Sequence, residues 1–235
     1  MQEINESLIK PTYVFASCKA WHRDSFNSLS ADANADWCYV SNPEELENVL
    51  LMSKPCYIFL LHWNWIVPEA IWKAHECVCF HMTDVPYGRG GSPLQNLILA
   101  GHTETKITAL RMVKEIDAGP VYTKRALSLV GSAEEIYLRA GKISVEIIQW
   151  MIANNPQPKP QEGEVVLFKR RKPEQSGLPN SGSLRVAYDF IRMLDADGYP
   201  NAFIEHGDYL ITFSKARIGS DSVVAEVEIK LQHRK

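Results

Sequence analysis

The stretch "CYIFLLHWNWIVPEAIWKAHECVCFH", Cys56 to His81, decides the fold. It opens on a continuous apolar run, Cys56 to His62, of the kind a central strand shows when both its faces are covered. "PEAIWKA" follows with the length and composition of a short helix, and "CVCFH", Cys77 to His81, is a second apolar run. Strand, helix, strand in this order is the unit of a parallel sheet.

The same alternation extends in both directions. Upstream, "YVFAS" (Tyr13 to Ser17) and "WCYV" (Trp37 to Val40) read as strands. "SNPEELENVLLM" then offers a cap at Ser41 or Asn42, Pro43 in the first turn and early acids, three helix-start signals together. Downstream, "KITALRMV" (Lys106 to Val113) and "VYTKRAL" (Val121 to Leu127) read as strands joined by "KEIDAGP". "GSAEEIYLRAGKISVEIIQWMIAN" has Ser132 and Glu135 at capping-box spacing and apolar residues at 136, 140, 143, 147 and 151 on one helical face. The expected fold class is therefore α/β: a Rossmann-like, doubly wound, mostly parallel sheet over residues 1–154. A proline-rich linker follows at 155–163. Residues 164–235, with a helical "LRVAYDFIRML" and the alternating "YLITFSKA" and "SVVAEVEIKL", make a small C-terminal α+β appendage.

Composition removes several function classes. A chain of 235 residues buries roughly 70% of its surface on folding and needs neither disulfide nor metal to hold together. A net charge of -3 exerts no general pull on nucleic acid or anionic lipid. Five cysteines, three of them close together at Cys56, Cys77 and Cys79, suit a reducing compartment better than a secreted disulfide framework. The start, "MQEINESLIK", is too polar and acidic for a signal peptide, and no run approaches the roughly 18 apolar residues of a membrane span. The expectation is a soluble, cytoplasmic protein with no membrane partner.

No GxGxxG, GxxxxGK[ST] or GxSxG motif is present, so nothing marks a dinucleotide, triphosphate or nucleophile-elbow site. His75, Cys77, Cys79 and His81 stand at every second residue, which invites a zinc reading. On a strand, however, same-face neighbours sit ~6.5–7 Å apart, so four in a row cannot surround one ion. Short cysteines are also ordinary tenants of a buried strand, so no metal is expected. His81, at a strand end, is the better lead. The loop "PYGRGGSP" beyond it would let a ligand approach the backbone, because glycine has no side chain in the way. Asp117, in the turn "EIDAGP", follows another strand of the same sheet, and its carboxylate could orient the imidazole. Such a pair serves acyl transfer if a further group holds the oxyanion.

"FHMTDVPYGRGGSPLQNLILAGHTETKITALRMVKEIDAGPVY" resembles the core of the folate-dependent formyltransferases. His81, Pro86, Arg89, Gly90, Pro93, Asp117 and Gly119 match that family's pattern in order and spacing. "FKRRKPEQS" and "YDFIRMLDADGYPNAF" resemble its C-terminal portion, especially in the sugar N-formyltransferases, and formylation domains of peptide synthetases share the core. The resemblance implies 10-formyltetrahydrofolate as donor and co-substrate, with an amine acceptor. It implies catalytic roles for His81 and Asp117, and donor contacts from Trp65, Val67, Pro86, Arg89, Gly90, Val113 and Glu115. Gly91 and Gln95 would face the acceptor. One position departs from the pattern. Where the family carries an asparagine two residues before the histidine, this chain has Cys79, a poor oxyanion donor. Asn64, just beyond the strand Cys56 to His62, is the nearest asparagine that could replace it.

Among family acceptors, a transfer RNA calls for a basic footprint. The segment from Gly163 onward holds 11 basic and 10 acidic residues, so no nucleic-acid partner is expected. The first choice is a nucleotide-linked amino sugar for surface glycans, a pseudaminic-acid-type sugar being one candidate. A homodimer is compatible with this reading. The alternatives are a carrier-bound aminoacyl acceptor, a formyltetrahydrofolate hydrolase and a non-catalytic folate-binding module.

Overall fold

The computed structural model describes residues 10–232, so the polar start of the chain lies almost wholly outside the described residues. The chain divides into two compact, interleaved units. The first takes in the described residues up to His81, Thr108–Thr123 and Ser144–Gln161. The second takes in Met82–Ile107, Lys124–Ile143 and the described residues from Glu162 onward.

A six-stranded sheet has most of its residues in the first unit. Its strands are β1 (Thr12–Ala16), β2 (Asp36–Val40), β3 (Tyr57–Leu61), β4 (Cys77–His81), β6 (Glu104–Arg111) and β7 (Val121–Ser128), in the order β2-β1-β3-β4-β6-β7. β2, β1, β3 and β4 run parallel. Helices α1 (His22–Ser30), α2 (Pro43–Met52) and α3 (Glu69–Ala74) connect them. The expected α/β, mostly parallel sheet is what the chain forms. α2 starts as its signals predict, with Pro43 in the first turn and the Asn42 side chain accepting from the Glu45 N–H at 3.0 Å.

β3 is buried along its whole length, and Ile58, Phe59, Leu60 and Leu61 are each at most 1% exposed. At roughly 1.5–3 kcal/mol for each fully buried large apolar side chain, this strand anchors the sheet. Val14, Ala16, Val40, Leu46 and Cys77 pack with Ile58 and Leu60 in one core cluster.

β6 runs against its neighbour. It pairs with β4 antiparallel, His81 opposite Thr108 and Val78 opposite Arg111. Its carboxyl end therefore lies beside the start of β4 and not beside His81. An apolar run does not report its own direction, and the segment after Arg111 has to bring Asp117 back.

In the second unit β5 (Tyr87–Gly90) pairs parallel with β8 (Val166–Phe168), and α4 (Pro93–Leu99) follows β5. β9 (Ala202–His206), β10 (Tyr209–Ile218) and β11 (Val223–Leu231) form an antiparallel sheet, and α6 (Leu184–Arg192) packs against β10. α5 (Ala133–Asn154) runs through both units. Its capping box is present: the Ser132 N–H donates to Glu135 Oε2 at 2.8 Å and the Glu135 N–H to Ser132 Oγ at 3.3 Å. Among the described residues no helix is long and apolar enough to cross a membrane.

Candidate active site

Side chains alternate along β4, so Cys77, Cys79 and His81 share one face. His81 is the strand's last residue and is 7% exposed. Its Nδ1 lies 3.5 Å from Asp117 Oδ2, with the two side chains 8% and 11% exposed. The pair expected from the sequence is therefore assembled, although Asp117 arrives by a route the sequence did not suggest.

Three local features hold that route. Asp117 adopts φ 52°, the left-handed region in which an aspartate is tolerated better than most residues. The Ala118 N–H donates to the Glu115 carbonyl and closes the turn. At Gly119 any Cβ would lie 1.7 Å from the Arg111 carbonyl oxygen, so only glycine fits where the loop folds back on its own strand. Gln161 completes the clamp. Its Nε2 donates to the carbonyls of both Asp117 and Gly119, each at 2.8 Å. Sequence reasoning missed Gln161 because it sits in the proline-rich segment assigned to a linker, where nothing in the pattern singles it out.

Cys79 is close enough to feel this carboxylate. Burial, with the charge of Asp117 adding to it, pushes its thiol well above the usual range. Cys77 is pushed up to about 12, by burial and then by Glu76. Both stay protonated at neutral pH, so neither is a ready nucleophile or metal ligand. Among the described residues no group of three or more His, Cys, Asp or Glu side chains is arranged to hold a metal ion.

The remaining sequence candidates are distributed as follows. Asn64 follows β3, which pairs with β4, but its side chain is exposed and hydrogen-bonds to no other described residue. Trp65 is 44% exposed, whereas Val67 is a core residue at 6%. Val113 is half-buried and Glu115 exposed, both on the Asp117 loop. Pro86, Arg89, Gly90, Gly91 and Gln95 belong to the second unit. Gln95 is buried there, its amide donating to the Met193 carbonyl at 3.0 Å and to the Tyr137 hydroxyl at 3.2 Å.

The glycines of this loop answer to the chain itself. A Cβ at Gly90 would lie 2.4 Å from the Phe168 carbonyl oxygen of β8, and one at Gly91 would lie 2.5 Å from Arg170 Cβ. The backbone that approaches them is therefore that of residues 168–170, a nearer cause than the ligand contact expected from the sequence.

A cavity of about 220 Å³ lies at the other end of the sheet, lined by Tyr57, Glu76, Arg111, Tyr122 and Asn155 among others. Glu76 accepts there from Arg111 Nε at 2.6 Å, from Arg111 Nη2 at 2.8 Å and from the Tyr122 hydroxyl. These groups satisfy one another. Glu76 precedes β4 and His81 ends it, so this is not the cleft of the histidine–aspartate pair.

Residues 173–230 match the family described as methionyl-tRNA formyltransferase, C-terminal domain. The chain is 42% identical to methionyl-tRNA formyltransferase from Clostridium thermocellum, with a TM-score of 0.91 over 94% of this chain and 100% of that one. It shares its fold, at 16% identity, with a sugar N-formyltransferase from a Shewanella species (TM-score 0.67, 96% of this chain, 99% of the other). It does so too, at 16% identity, with HypX from Aquifex aeolicus in complex with tetrahydrofolic acid (TM-score 0.72, 87% and 37%). Methionyl-tRNA formyltransferase from Rickettsia massiliae is 25% identical over 165 residues, 68% of this chain and 54% of that protein. The chain thus spans about half the length of the curated relatives it matches.

Proposed function

This chain belongs to the formyltransferase family, and from that premise we propose that it moves a formyl group from 10-formyltetrahydrofolate to the amine of a nucleotide-linked amino sugar. The observation that carries the reading is the buried pairing of His81 Nδ1 with Asp117 Oδ2 at the carboxyl end of β4. The donor supplies an electrophilic formyl carbon on a nitrogen leaving group. Asp117 accepts from Nδ1 and so fixes the tautomer in which Nε2 of His81 carries the lone pair that takes a proton. The amine attacks the formyl carbon, His81 Nε2 takes the amine proton, and the same proton returns to the departing folate nitrogen. A separation of 3.5 Å is long for a working hydrogen bond, and such contacts tighten when substrate binds.

Asn64 is proposed to turn its exposed amide toward the developing oxyanion, since the neutral thiol of Cys79 is a weak donor. Trp65, Val113 and Glu115 are proposed to border the donor.

An amino sugar is favoured by the shared fold with a sugar N-formyltransferase and by the near-balanced charge of the C-terminal segment. The name of the 42% identical relative favours a second acceptor, an aminoacylated transfer RNA. Incubation with 10-formyltetrahydrofolate and a panel of nucleotide amino sugars, beside charged initiator transfer RNA, separates the two by which product gains a formyl mass. Acceptor-dependent release of tetrahydrofolate is expected with a sugar. Formate released at full rate with no amine present would make the protein a hydrolase and sink the proposal.

A further inference from the structure

We propose that Glu76 is a positioning residue for Asp117, acting from the opposite end of β4 by fixing both ends of the loop that carries the aspartate. The inference rests on the catalytic reading of His81 and Asp117 given above.

Asp117 lies between Arg111, the last residue of β6, and Val121, the first of β7. Because β6 runs antiparallel to β4, the loop leaves the sheet at Arg111, opposite Val78. His81 stands three residues further along β4, or ~10 Å at about 3.3 Å per residue. The loop covers that distance to bring Asp117 Oδ2 to 3.5 Å from His81 Nδ1. Lys114, Glu115 and Ile116 on the way are exposed, so they bury nothing that would steer the arm. A small change of angle at the base is therefore magnified at the carboxylate.

One side chain holds that base. Glu76 directly precedes β4 and accepts from Arg111 Nε at 2.6 Å, from Arg111 Nη2 at 2.8 Å and from the hydroxyl of Tyr122. It thus grips a side chain at each end of the loop. Main-chain bonds lay the two ends together: the Arg111 N–H donates to the Pro120 carbonyl at 2.9 Å and the Met112 N–H to the Cys77 carbonyl at 2.8 Å. β4, β6 and β7 are consecutive in the sheet, so the three side chains tie three neighbouring strands at one level. A single exposed ion pair would fix little. Here the guanidinium is held by two parallel bonds, which set its plane as well as its distance, and the Tyr122 hydroxyl adds a third donor to the same carboxylate.

A double-mutant cycle in formyl transfer tests this, with far-UV circular dichroism confirming that each variant is folded. Glu76→Ala is expected to lower kcat about tenfold and to leave both KM values within about twofold, because the reacting pair is displaced while the substrate contacts stay. In an Asp117→Ala background the same change should lower kcat less than about twofold, since the group it positions has gone. Arg111→Lys, whose ammonium cannot reproduce the two parallel bonds, should behave as Glu76→Ala does, and it runs through the same cycle where Glu76→Ala does not fold. Wild-type kcat in the folded variant overturns the proposal. So does an equal loss in the Asp117→Ala background, which marks a general structural role. Either result leaves Asp117 its catalytic role. Full turnover in Asp117→Ala alone instead overturns the catalytic reading, and the positioning role falls with it.

Discussion

Acid should destabilise this protein well above the pH at which carboxylates titrate, and the cause is a pair of packed imidazoles, one buried and one half-buried. His22 opens α1, is fully buried, and holds its Nε2 2.9 Å from Nδ1 of His62. His62 follows β3 with φ 49°, and the Cys18 thiol donates to its carbonyl at 2.8 Å. Burial pushes His22 down to about 4, and burial with the charges of His22 and Lys19 pushes His62 down to about 3. Above pH 6.5 both rings are neutral in the folded and the unfolded chain. Below 6.5 the unfolded chain takes up protons that the folded rings refuse, so stability falls with pH until the folded values are reached. For His22 alone the fall from 6.5 to about 4 amounts to about 3 kcal/mol, at about 1.4 kcal/mol per unit. The two rings share one hydrogen bond, so their costs do not simply add. A domain has only about 5–15 kcal/mol in total. The loss also falls on the carboxyl ends of β1 and β3, where strand order reverses and α/β sheets bind ligands. Urea unfolding at pH 7.5 and pH 5.0 should differ by about 2 kcal/mol, and His22→Leu should remove much of the difference. Equal stability at the two pH values, or an unchanged slope in His22→Leu, would refute the reasoning.

The same arrangement gives three further expectations. His81→Ala and Asp117→Ala should each lower kcat by about 100-fold or more while circular dichroism stays unchanged, and near-normal turnover in either folded variant removes the pair from the chemistry. Gln161→Ala should lower kcat about tenfold with little change in KM, because two carbonyls of the Asp117 turn lose their shared donor. Gln161→Glu, which keeps the shape but cannot donate, should do no better, and wild-type kinetics there would make the clamp incidental. Turnover should survive a strong chelator, since Cys77 and Cys79 are held as thiols, and one zinc per chain lost together with activity would count against that.

The sequence declared its strands wherever burial on both faces made them continuously apolar. β4 occupies the predicted Cys77–His81, and β3 differs from its predicted run by one residue at each end. Helix starts were legible where a side chain caps them, as at Asn42 and Ser132. α1 escaped because Trp21 stands at its cap and no side chain satisfies the first turn. β5 and β8 escaped because they are four and three residues long, and two of the four in β5 are glycine. Their pairing is also what the glycines are for. A close approach of backbone was inferable from "GRGG", but whether the approaching group was a ligand or residue 168 was not. The direction of β6 was equally silent, because side-chain alternation reads the same both ways.

The departure at Cys79 bears most directly on how the site works. In the proposed mechanism, Nδ1 of His81 faces Asp117 and Nε2 carries the proton. An imidazole taking a proton at Nε2 cannot at that moment donate from the same atom to the oxyanion. A donor must therefore come from elsewhere, and leaving the oxyanion without one costs roughly 3–4 kcal/mol, or 100- to 1000-fold in rate. Cys79, raised and neutral beside Asp117, offers only a weak S–H. β3 lies alongside β4 with Leu61 opposite Phe80, so the residues just past Leu61 and Phe80 leave the sheet at the same level. His62 turns the chain there in a left-handed conformation, and Asn64 follows two residues later with an exposed side-chain amide. That is the position from which an asparagine on the neighbouring strand end can take over what the strand of His81 no longer supplies. On this argument Asn64→Ala loses about 100-fold in kcat with donor KM little changed, while Cys79→Ala is mild. The reverse pattern would place the donor on β4 after all and reduce Asn64 to a turn residue.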